Sequence, residues 1–336
     1  MNKENLVIIN NEKFFKDETG FYCDNLDLKV VPEELNKHFD VHYIVRKSKK
    51  KGGQKINLNN VKISSNIFRF IKLIFETLKL NKKYLIISIT PYTFLACLFL
   101  FLSRKKIFLY LWSDGHEEWE HLLGKWSVWI YHIMYVICIS FSEVIVCNKR
   151  LSKKKAHLIS ISRLENYWFE NPKKVSIDKI KFLYVGRMSP EKGIFDFLNI
   201  FNNLNLYADL SIVGNSKNYI AKNKNVKLLG YISDPNSLIE IYDNHNITIL
   251  PSYTEGYPYV IDESLSRKRP VIIFDEIAYV VNGKKGIFIS KREQNSLKET
   301  VNYIMNNYAK IQNEMGKNKL PTKESMIRQI SNIINN

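Results

Sequence analysis

Cysteines are few in this chain of 336 residues: only Cys23, Cys97, Cys138 and Cys147 are present. Their spacing is not that of a disulfide framework or of a cysteine-ligated zinc site. Three of the four lie in apolar segments, which indicates buried thiols in a reducing compartment. We therefore expect a cytosolic chain without disulfides.

The sequence also lacks an apolar run long enough to span a membrane, which takes about 20 residues. Residues 92–102 are apolar but are followed at once by basic residues, and residues 126–141 are interrupted by polar ones. Two buried helices of an α/β domain are the favoured interpretation. The second run, with its two tryptophans, could also enter a membrane surface. The first apolar run of the chain is too short for a signal peptide.

Acidic residues are scarce: 33 Asp and Glu against 50 Lys and Arg give a formal net charge of +17. Residues 41–112 contain fifteen basic residues and one acid, Glu76. Such a field attracts nucleic acid, lipid headgroups or a phosphorylated substrate, although a lysine-rich, solubilising surface explains it equally well.

A hydrophobic content of 45% excludes a disordered or collagen-like chain. No fixed repeat is present, so a solenoid is excluded.

Short apolar runs alternate with helical patterns along the whole chain. The runs lack polar alternation, which is typical of parallel strands buried on both faces. A polar stretch with a proline at residues 170–179 separates two such series. We therefore predict an α/β protein of two Rossmann-like, doubly wound domains, 1–172 and 173–310, facing across a ligand cleft. A C-terminal helical segment, 311–336, is expected to pack back on the N-terminal domain.

A first candidate site has the sequence YVGRMSPEKG at residues 184–193. It runs from a strand through a loop into a helix, and Gly186 and Gly193 allow a sharp turn and a close backbone approach. Arg187 and Lys192 would project two positive charges beside a helix N-terminus, which suits a diphosphate. Taken alone, the stretch also fits a surface loop with two solvated cations.

A second candidate site has the sequence PSYTEGYPYVIDE at residues 251–263. A buried-type strand leads into a loop with Glu255, and the first turns of the next helix contain Asp262 and Glu263. Free backbone amides at residues 256–259 would face an anion at the helix start. A carboxylate such as Glu263 at that place favours hydroxyl groups as partners, so a sugar diphosphate fits better than a bare phosphate.

The two stretches resemble the motifs of retaining family 4 glycosyltransferases of the GT-B fold, also called glycosyl transferases group 1. The C-terminal domain of that family reads G-R-x3-5-K-G and then Glu-x7-Glu, the separation of Glu255 and Glu263. Residues 213–215 (VGN) and 228–233 (LLGYIS) resemble strand ends that lie between the two motifs, although one family glycine is missing. The resemblance covers residues 140–310 and is weak in the N-terminal third.

The resemblance implies individual roles in a nucleotide-sugar donor site of the domain 173–310. Arg187 and Lys192 would bind the diphosphate, Glu255 the sugar hydroxyls and Glu263 the ribose hydroxyls. Backbone around Gly256, Tyr257 and Pro258 would help to cradle the phosphates, Tyr231 and Ile232 would lie beside the base, and Gly214 would end a strand at the site. Gly20, after the first strand, would correspond to the N-terminal glycine that lets the diphosphate approach.

For the domain 1–172, the resemblance implies acceptor binding and a catalytic His or Asp after the fourth strand. Asp114 is the first candidate for that position and His116 the second, with a solvated place at a helix start as the alternative for His116. No cluster has metal-ligand spacing. We therefore predict no metal and no cofactor other than the co-substrate, a UDP- or GDP-sugar.

Together these features predict a retaining, metal-independent hexosyltransferase of capsule, lipopolysaccharide or related polysaccharide biosynthesis. Its acceptor would be a lipid-linked or cell-surface glycan. Arg187 and Lys192 would stabilise the charge that grows on the departing diphosphate. The family implies same-face transfer by internal return, and Glu255 as a covalent nucleophile is the alternative.

The expected partners are the donor, the acceptor and an anionic membrane surface that contacts the basic N-terminal domain, with no nucleic acid. The expected location is cytoplasmic and peripheral on the inner face of the plasma membrane. The oligomeric state does not follow from the sequence. A basic nucleic-acid-binding protein is an alternative, although no recognition motif accompanies the charge. A GT-B phosphorylase or epimerase is another.

Overall fold

The computed structural model describes residues 3–80, 83–152, 154–204, 206–215, 220 and 223–336. Within these residues the chain divides into two compact units. The first unit contains the described residues up to Ile161 together with Glu324–Asn336, and the second is Ser162–Lys323. The predicted α/β class is confirmed, since each unit is built on a sheet of mainly parallel strands flanked by helices.

The sheet of the first unit has the strands β1 (Asn5–Asp17), β2 (Gly20–Cys23), β3 (Asp40–Lys47), β4 (Gln54–Ile56), β5 (Val61–Ser64), β6 (Lys83–Ile87), β7 (Ile107–Leu111), β8 (Glu143–Val146) and β9 (His157–Leu158). Its parallel strands follow one another in the order β5-β3-β1-β6-β7-β8-β9. The helices are α1 (Asp27–Leu35), α2 (Ile67–Thr77), α3 (Pro91–Leu102), α4 (Gly115–Leu123) and α5 (Lys125–Phe141). All residues of β7 are buried, as expected for a strand covered on both faces.

Three helices of the first unit cover the same face of its sheet. Helix α2 connects β5 to β6, α3 connects β6 to β7, and α4 and α5 connect β7 to β8, so each connection advances in the same direction across the sheet. Right-handed crossovers in one direction place their helices on one face. The buried sides of α2, α3 and α5, with residues such as Phe70, Leu100 and Met134, share one hydrophobic core with the strands.

The second unit has an entirely parallel sheet of six strands in the order β12-β11-β10-β13-β14-β15. The strands are β10 (Ile180–Val185), β11 (Ala208–Val213), β12 (Val226–Gly230), β13 (Ile247–Leu250), β14 (Val271–Phe274) and β15 (Ile287–Ser290). The helices are α6 (Ile194–Asn203), α7 (Pro235–Asp243), α8 (Tyr259–Ser266), α9 (Gln294–Asn306) and α10 (Tyr308–Met315), and α11 (Lys323–Asn335) follows. The strand order runs outward in both directions from the β10–β13 pair, which makes this sheet doubly wound.

The units differ in extent from the predicted domains 1–172, 173–310 and 311–336. Residues 162–172 cluster with the second unit because Leu164 and Trp168 pack against Tyr242 at the end of α7. Helix α10 belongs to the core of the second unit, where Ile311 and Met315 are buried. Only Glu324–Asn336 of the predicted C-terminal segment clusters with the first unit.

A buried charge cluster fixes the start of the second unit. Arg267 donates two hydrogen bonds to Asp243, at 3.0 Å to Oδ1 and 2.6 Å to Oδ2, and both side chains are only 2% exposed. Arg267 also donates to the carbonyl oxygens of Trp168 and Glu170. Arg269 donates to the carbonyl oxygens of Tyr242 and Lys173 in the same way. The cluster therefore ties residues 168–173 to α7.

Asp243→Ala should destabilise the second unit, because it leaves two buried guanidinium groups without their carboxylate. Breaking a buried pair in this way costs about 3–5 kcal/mol of unfolding free energy. Asp209→Ala is the control, since its 2.7 Å pair with Lys179 is more exposed and is expected to contribute about 1 kcal/mol or less. Chemical denaturation measures both, and equally small losses would contradict the assigned role of the cluster.

Candidate functional site

The two predicted donor motifs meet at the point where the strand order of the second unit reverses. Strands β10 and β13 are neighbours, with Phe182 opposite Ile247 and Leu183 opposite Thr248. Residues 186–193 follow β10, and residues 251–258 follow β13. In open α/β sheets, ligands bind outside the carboxyl ends of the strands at such a switch point. The topology alone thus makes these two loops the candidate site.

Lys192 and Glu255 form the central contact of the site. The Lys192 Nζ lies 2.7 Å from Glu255 Oε1, and both side chains are largely shielded from solvent. The Ser252 hydroxyl donates to the same carboxylate oxygen at 2.6 Å. One oxygen of Glu255 therefore receives two hydrogen bonds, and the two sequence motifs are joined by a direct ion pair.

Tyr279 holds the backbone of Glu255 in place. Its hydroxyl accepts a hydrogen bond from the Glu255 N–H at 3.0 Å and donates one to the Glu255 carbonyl oxygen at 2.6 Å. Tyr279 lies in a 3-10 segment, Asp275–Val281, that follows β14. Arg292 supports the same loop, since its Nη2 donates to the Pro251 carbonyl at 3.0 Å and its guanidinium lies over the Tyr253 ring. Tyr279 and Arg292 belong to neither sequence motif, and Ser252 lies within the second motif without an assigned role.

Two glycines allow the strand ends to approach each other. Gly193 begins α6 in a left-handed conformation (φ 60°), and a Cβ there would collide with the Pro251 carbonyl. Gly214, which follows β11, has φ 148°, and its Cβ would collide with the Gly186 carbonyl. Neither position accepts a side chain without moving a backbone. The structure thus gives Gly214, a predicted donor contact, a packing role between β10 and β11.

Arg187 and Lys192 have different surroundings although they share one loop. The Tyr184 hydroxyl donates to the Arg187 carbonyl at 2.6 Å, which fixes the loop backbone. The Arg187 side chain is 76% exposed, and its guanidinium lies 3.5 Å from Glu191. A hydrogen bond from Ser189 lowers the pKa of Glu191, with a smaller contribution from the charge of Arg187. The structure therefore brings Lys192, and not Arg187, to Glu255.

Helix α8 places two neighbouring carboxylates in different environments. Asp262 is buried, lies 2.5 Å from Lys284 Nζ and accepts a hydrogen bond from the Tyr257 hydroxyl. Glu263 accepts a hydrogen bond from the Tyr242 hydroxyl at 2.8 Å. Burial raises the pKa of Glu263, and the Tyr242 hydrogen bond and the charge of Arg163 only partly oppose this effect.

The remaining predicted donor contacts follow β12 or β13, two parallel strands that end at the same edge of the sheet. Gly256 is exposed beside Glu255, and Pro258 precedes α8 without capping it by a side-chain hydrogen bond. Tyr231, directly after β12, has an exposed side chain. Ile232 packs against the cluster that contains Leu164 and Tyr242.

Gly20 lies in a hairpin of the first unit. Strand β1 continues to Asp17, beyond the predicted strand, and pairs antiparallel with β2, in which Gly20 stands opposite Asp17. The pairing of β1 with β3 shifts register between Ile9 and Lys13, and the strand continues beyond this irregularity. The chain therefore does not pass from this strand directly into a helix, as a diphosphate-binding loop would. The donor role of Gly20 stays a prediction.

Asp114 and His116 lie together after β7. Asp114 caps α4, since its Oδ1 accepts the His116 N–H at 2.9 Å, and it also lies 3.4 Å from the His116 Nδ1. The His116 Nε2 is 3.1 Å from the His132 Nδ1, and the His116 ring packs edge-on against Tyr131. His116 is therefore held by neighbouring rings, unlike a freely solvated residue at a helix start.

A cavity of about 300 Å³ surrounds this pair, and its lining includes Ser113, Tyr135 and Arg150. It lies where β7 and β8 end, which is the edge at which α/β sheets bind ligands. In the part of the chain that the structure describes, no three His, Cys, Asp or Glu residues are grouped so as to hold a metal ion.

Residues 168–320 match the family model described as glycosyl transferases group 1. The chain is 28% identical over 139 residues to the capsular polysaccharide biosynthesis glycosyltransferase CapM of Staphylococcus aureus. This match covers 37% of the chain and 36% of CapM. The chain therefore spans little more than a third of the length of this curated relative.

Two solved structures are similar over nearly the whole chain. Anabaena HepE, in complex with UDP, has a TM-score of 0.73 at 12% identity and is covered to 99%, with 98% of this chain aligned. The sucrose-phosphate synthase of Thermosynechococcus elongatus has a TM-score of 0.70 at 15% identity, with 99% of this chain and 98% of that one covered. These similarities confirm the predicted GT-B fold.

Glu263→Gln should change how stability depends on pH. Because the pKa of Glu263 is raised, the native state binds its proton more tightly than the unfolded chain does, and the ionised form costs stability above that pKa. The variant removes this cost, so it should be at least as stable as the wild type at neutral pH. As the pH falls through the raised pKa, the wild type should gain stability relative to the variant.

Denaturant unfolding at a series of pH values measures this difference. Glu240→Gln, which removes an exposed carboxylate of α7, is the control for the loss of one negative charge. A wild type that loses stability relative to Glu263→Gln on acidification would contradict the assigned environment of Glu263.

Proposed function

We propose that this chain, which matches the glycosyl transferases group 1 model over residues 168–320, is a member of that family and transfers a sugar from a UDP- or GDP-sugar with retention of configuration. The acceptor is a lipid-linked or cell-surface glycan of capsule, lipopolysaccharide or related biosynthesis, met at the cytosolic face of the membrane. The observation that carries the proposal is the Lys192–Glu255 ion pair at the strand switch point. CapM, whose name assigns it to capsular polysaccharide biosynthesis, supports the class of acceptor.

The ion pair can exchange partners when a donor binds. Without a donor, Lys192 and Glu255 neutralise each other in a largely shielded place, where an unpaired charge would be costly. A donor diphosphate would take the Lys192 ammonium, and Glu255 would then accept hydrogen bonds from sugar hydroxyls. Each charged group therefore has a partner in both states, and the donor replaces one set of contacts with another.

Leaving-group stabilisation follows from the positive charges of the same loop. Negative charge grows on the diphosphate as the anomeric bond breaks, and preorganised cations lower the free energy of that transition state. Lys192 is already held at the site by Glu255. Arg187 belongs to the same loop, and its exposed side chain would turn toward the diphosphate. These two residues supply the electrostatic stabilisation in a metal-independent hexosyl transfer.

We infer same-face transfer by internal return from the resemblance of the two motifs to those of retaining glycosyltransferases. Glu255 receives hydrogen bonds from Lys192 and Ser252 on one carboxylate oxygen and is fixed through its backbone by Tyr279. A carboxylate held in this way suits a fixed acceptor of hydrogen bonds. We assign it to the hydroxyl groups of the donor sugar. Glu263, one to two turns into α8, is assigned to the ribose hydroxyls.

In the first unit, we assign the acceptor step to the cavity with Asp114 and His116. A group that accepts the acceptor's hydroxyl proton must lie within hydrogen-bond reach of it. The His116 ring is oriented by Asp114 and His132, so that either Asp114 or His116 can accept the proton.

The complex of HepE with UDP supports UDP as the nucleotide of the donor.

Thermal unfolding with UDP, GDP, ADP and their sugars tests the donor site. A ligand that binds the native state raises its unfolding temperature by mass action. UDP or GDP should stabilise the wild type, and Lys192→Ala should weaken that binding by about tenfold or more, as the loss of a charge-assisted hydrogen bond does. Glu255→Gln should keep or raise the affinity for the free nucleotide, because the diphosphate no longer competes with a carboxylate for Lys192, and it should lose affinity for the nucleotide sugar.

Lys298→Ala is the matched control for Lys192→Ala, since Lys298 is an exposed lysine of α9 in the same unit. Nucleotide binding that is equal in the wild type and in Lys192→Ala would show that the diphosphate does not bind at this loop. The assignment of Glu255 would be wrong if Glu255→Gln lost free UDP and the UDP-sugar equally.

Substitutions at Asp114 separate its charge from its capping role. Asn is as good an N-cap as Asp, so Asp114→Asn should keep α4 and remove only the carboxylate. If Asp114 accepts the proton, turnover should fall by about 100-fold or more, while UDP affinity stays unchanged. Glu117→Gln, in the first turn of α4, is the control. Near-full turnover of Asp114→Asn together with a large loss in His116→Gln would assign the step to His116.

A further inference from the structure

Helix α5 exposes an apolar face. Trp126 is 65% exposed and Trp129 is 70% exposed, and Ile130, Ile133 and Val136 continue the same stripe at helical spacing. No Asp, Glu, Lys or Arg occurs between Lys125 and Glu143. A helix on the surface of a water-soluble domain normally presents polar residues to solvent. The outward face of α5 therefore fits an apolar environment better than water.

The apolar face continues onto the neighbouring helices. At the end of α3, Phe101 stacks on Phe141 of α5 with a ring distance of 3.7 Å, and the adjacent Leu102 is exposed. Phe75 of α2, also exposed, lies against Phe99 of α3. These helices cover one face of the sheet, so their outward sides form one continuous surface, the helix face α2–α3–α5. Contiguous apolar patches of this extent mark interaction sites.

Basic residues accompany this surface. Arg69 and Lys72 are exposed on α2, Lys79 follows it, and residues 104–106 after α3 are all basic. Residues 41–112, which include α2 and α3, contain fifteen basic residues and one acid. Helix α4, which is not part of this face, contains three acidic residues, Glu117, Glu118 and Glu120, and ends with the exposed Leu122, four residues before Trp126. The charge of the helix face is therefore complementary to an anionic surface.

We propose that the helix face α2–α3–α5 of the first unit docks on an anionic lipid bilayer. Tryptophans favour the level of the lipid headgroups, and apolar burial combined with attraction of lysine and arginine is the mode of interfacial binding. No helix among the residues that the structure describes is long and apolar enough to cross a membrane, so α5 lies in the interface. The proposal rests on the proposed function in one respect, namely that a lipid-linked acceptor requires the enzyme to work at the bilayer surface.

Vesicle co-sedimentation tests the apolar part of the proposal. The full chain should bind vesicles of phosphatidylcholine with phosphatidylglycerol more tightly than vesicles of phosphatidylcholine alone. The double variant Trp126→Ala and Trp129→Ala should have a partition coefficient about tenfold or more below that of the wild type. The reason is that it lacks two large apolar side chains whose transfer from water into the bilayer favours binding. Tyr207→Ala, which removes an aromatic side chain of 74% exposure from the second unit, should bind like the wild type.

Arg69→Ala combined with Lys72→Ala tests the charged part. Each basic residue near an anionic bilayer contributes on the order of 1 kcal/mol, so this variant should lose up to about thirtyfold on anionic vesicles and little on neutral ones. Lys298→Ala with Lys310→Ala, exposed lysines of α9 and α10, is the matched control. Equal losses of vesicle binding in the Arg69/Lys72 variant and in the Lys298/Lys310 control would overturn the proposal.

The same samples distinguish failure of this proposal from failure of the proposed function. UDP-dependent thermal stabilisation reports on the second unit, so a tryptophan variant that keeps it still binds the donor, and an unchanged circular dichroism spectrum shows that its first unit is folded. A wild type that binds UDP but no vesicle would overturn the docking proposal and leave the donor site standing. Light scattering that shows a dimer abolished by the tryptophan substitutions would assign the helix face to a second copy of the chain and would also overturn it.

Discussion

The geometry of the proposed donor site depends on the reversal of strand order between β10 and β13. This reversal places the ends of two adjacent strands at the edge where no crossover helix covers them. The loops that follow are joined there by Lys192 and Glu255, and Tyr279 and Arg292 hold the second loop by its backbone. Gly193 allows the two loops to approach each other at a distance that no side chain permits. The chemistry that we propose needs a preorganised cation, and this packing provides it.

The two units contribute different surfaces to one proposed activity. In the second unit, the buried Asp243–Arg267 pair ties residues 168–173 to α7, and Arg267 satisfies carbonyl groups of that segment. The first unit has a histidine-lined cavity at the ends of β7 and β8 and an outward apolar face on α5. A lipid-linked acceptor would connect these features, because its lipid part requires the bilayer and its glycan part requires the polar cavity.

Much of the fold followed from apolar runs, and the donor loops followed from short motifs. Residues 184–193 and 251–263 were selected because their glycine, lysine and glutamate residues have the separations of the family motifs that they resemble, and their binding of a diphosphate stays a proposal. The contacts of Tyr279 and Arg292 with the loop of Glu255 could not be predicted, since they come from residues 24 and 41 positions away from their partners. The hairpin at Gly20 could not be predicted from the sequence. The polar residues at the register shift of β1 have the same pattern as the end of a strand, although this strand continues beyond them. Likewise, sequence hydropathy cannot tell that one side of α5 faces solvent.

The central claim is that the diphosphate of a nucleotide sugar binds at Lys192 in exchange for Glu255. A crystal structure of the chain with bound UDP or GDP tests it most directly. The account predicts a phosphate oxygen within hydrogen-bond distance of the Lys192 Nζ, an opened Lys192–Glu255 contact, and ribose hydroxyls at Glu263. A nucleotide bound away from the ends of β10 and β13, with the 2.7 Å ion pair intact, would contradict it.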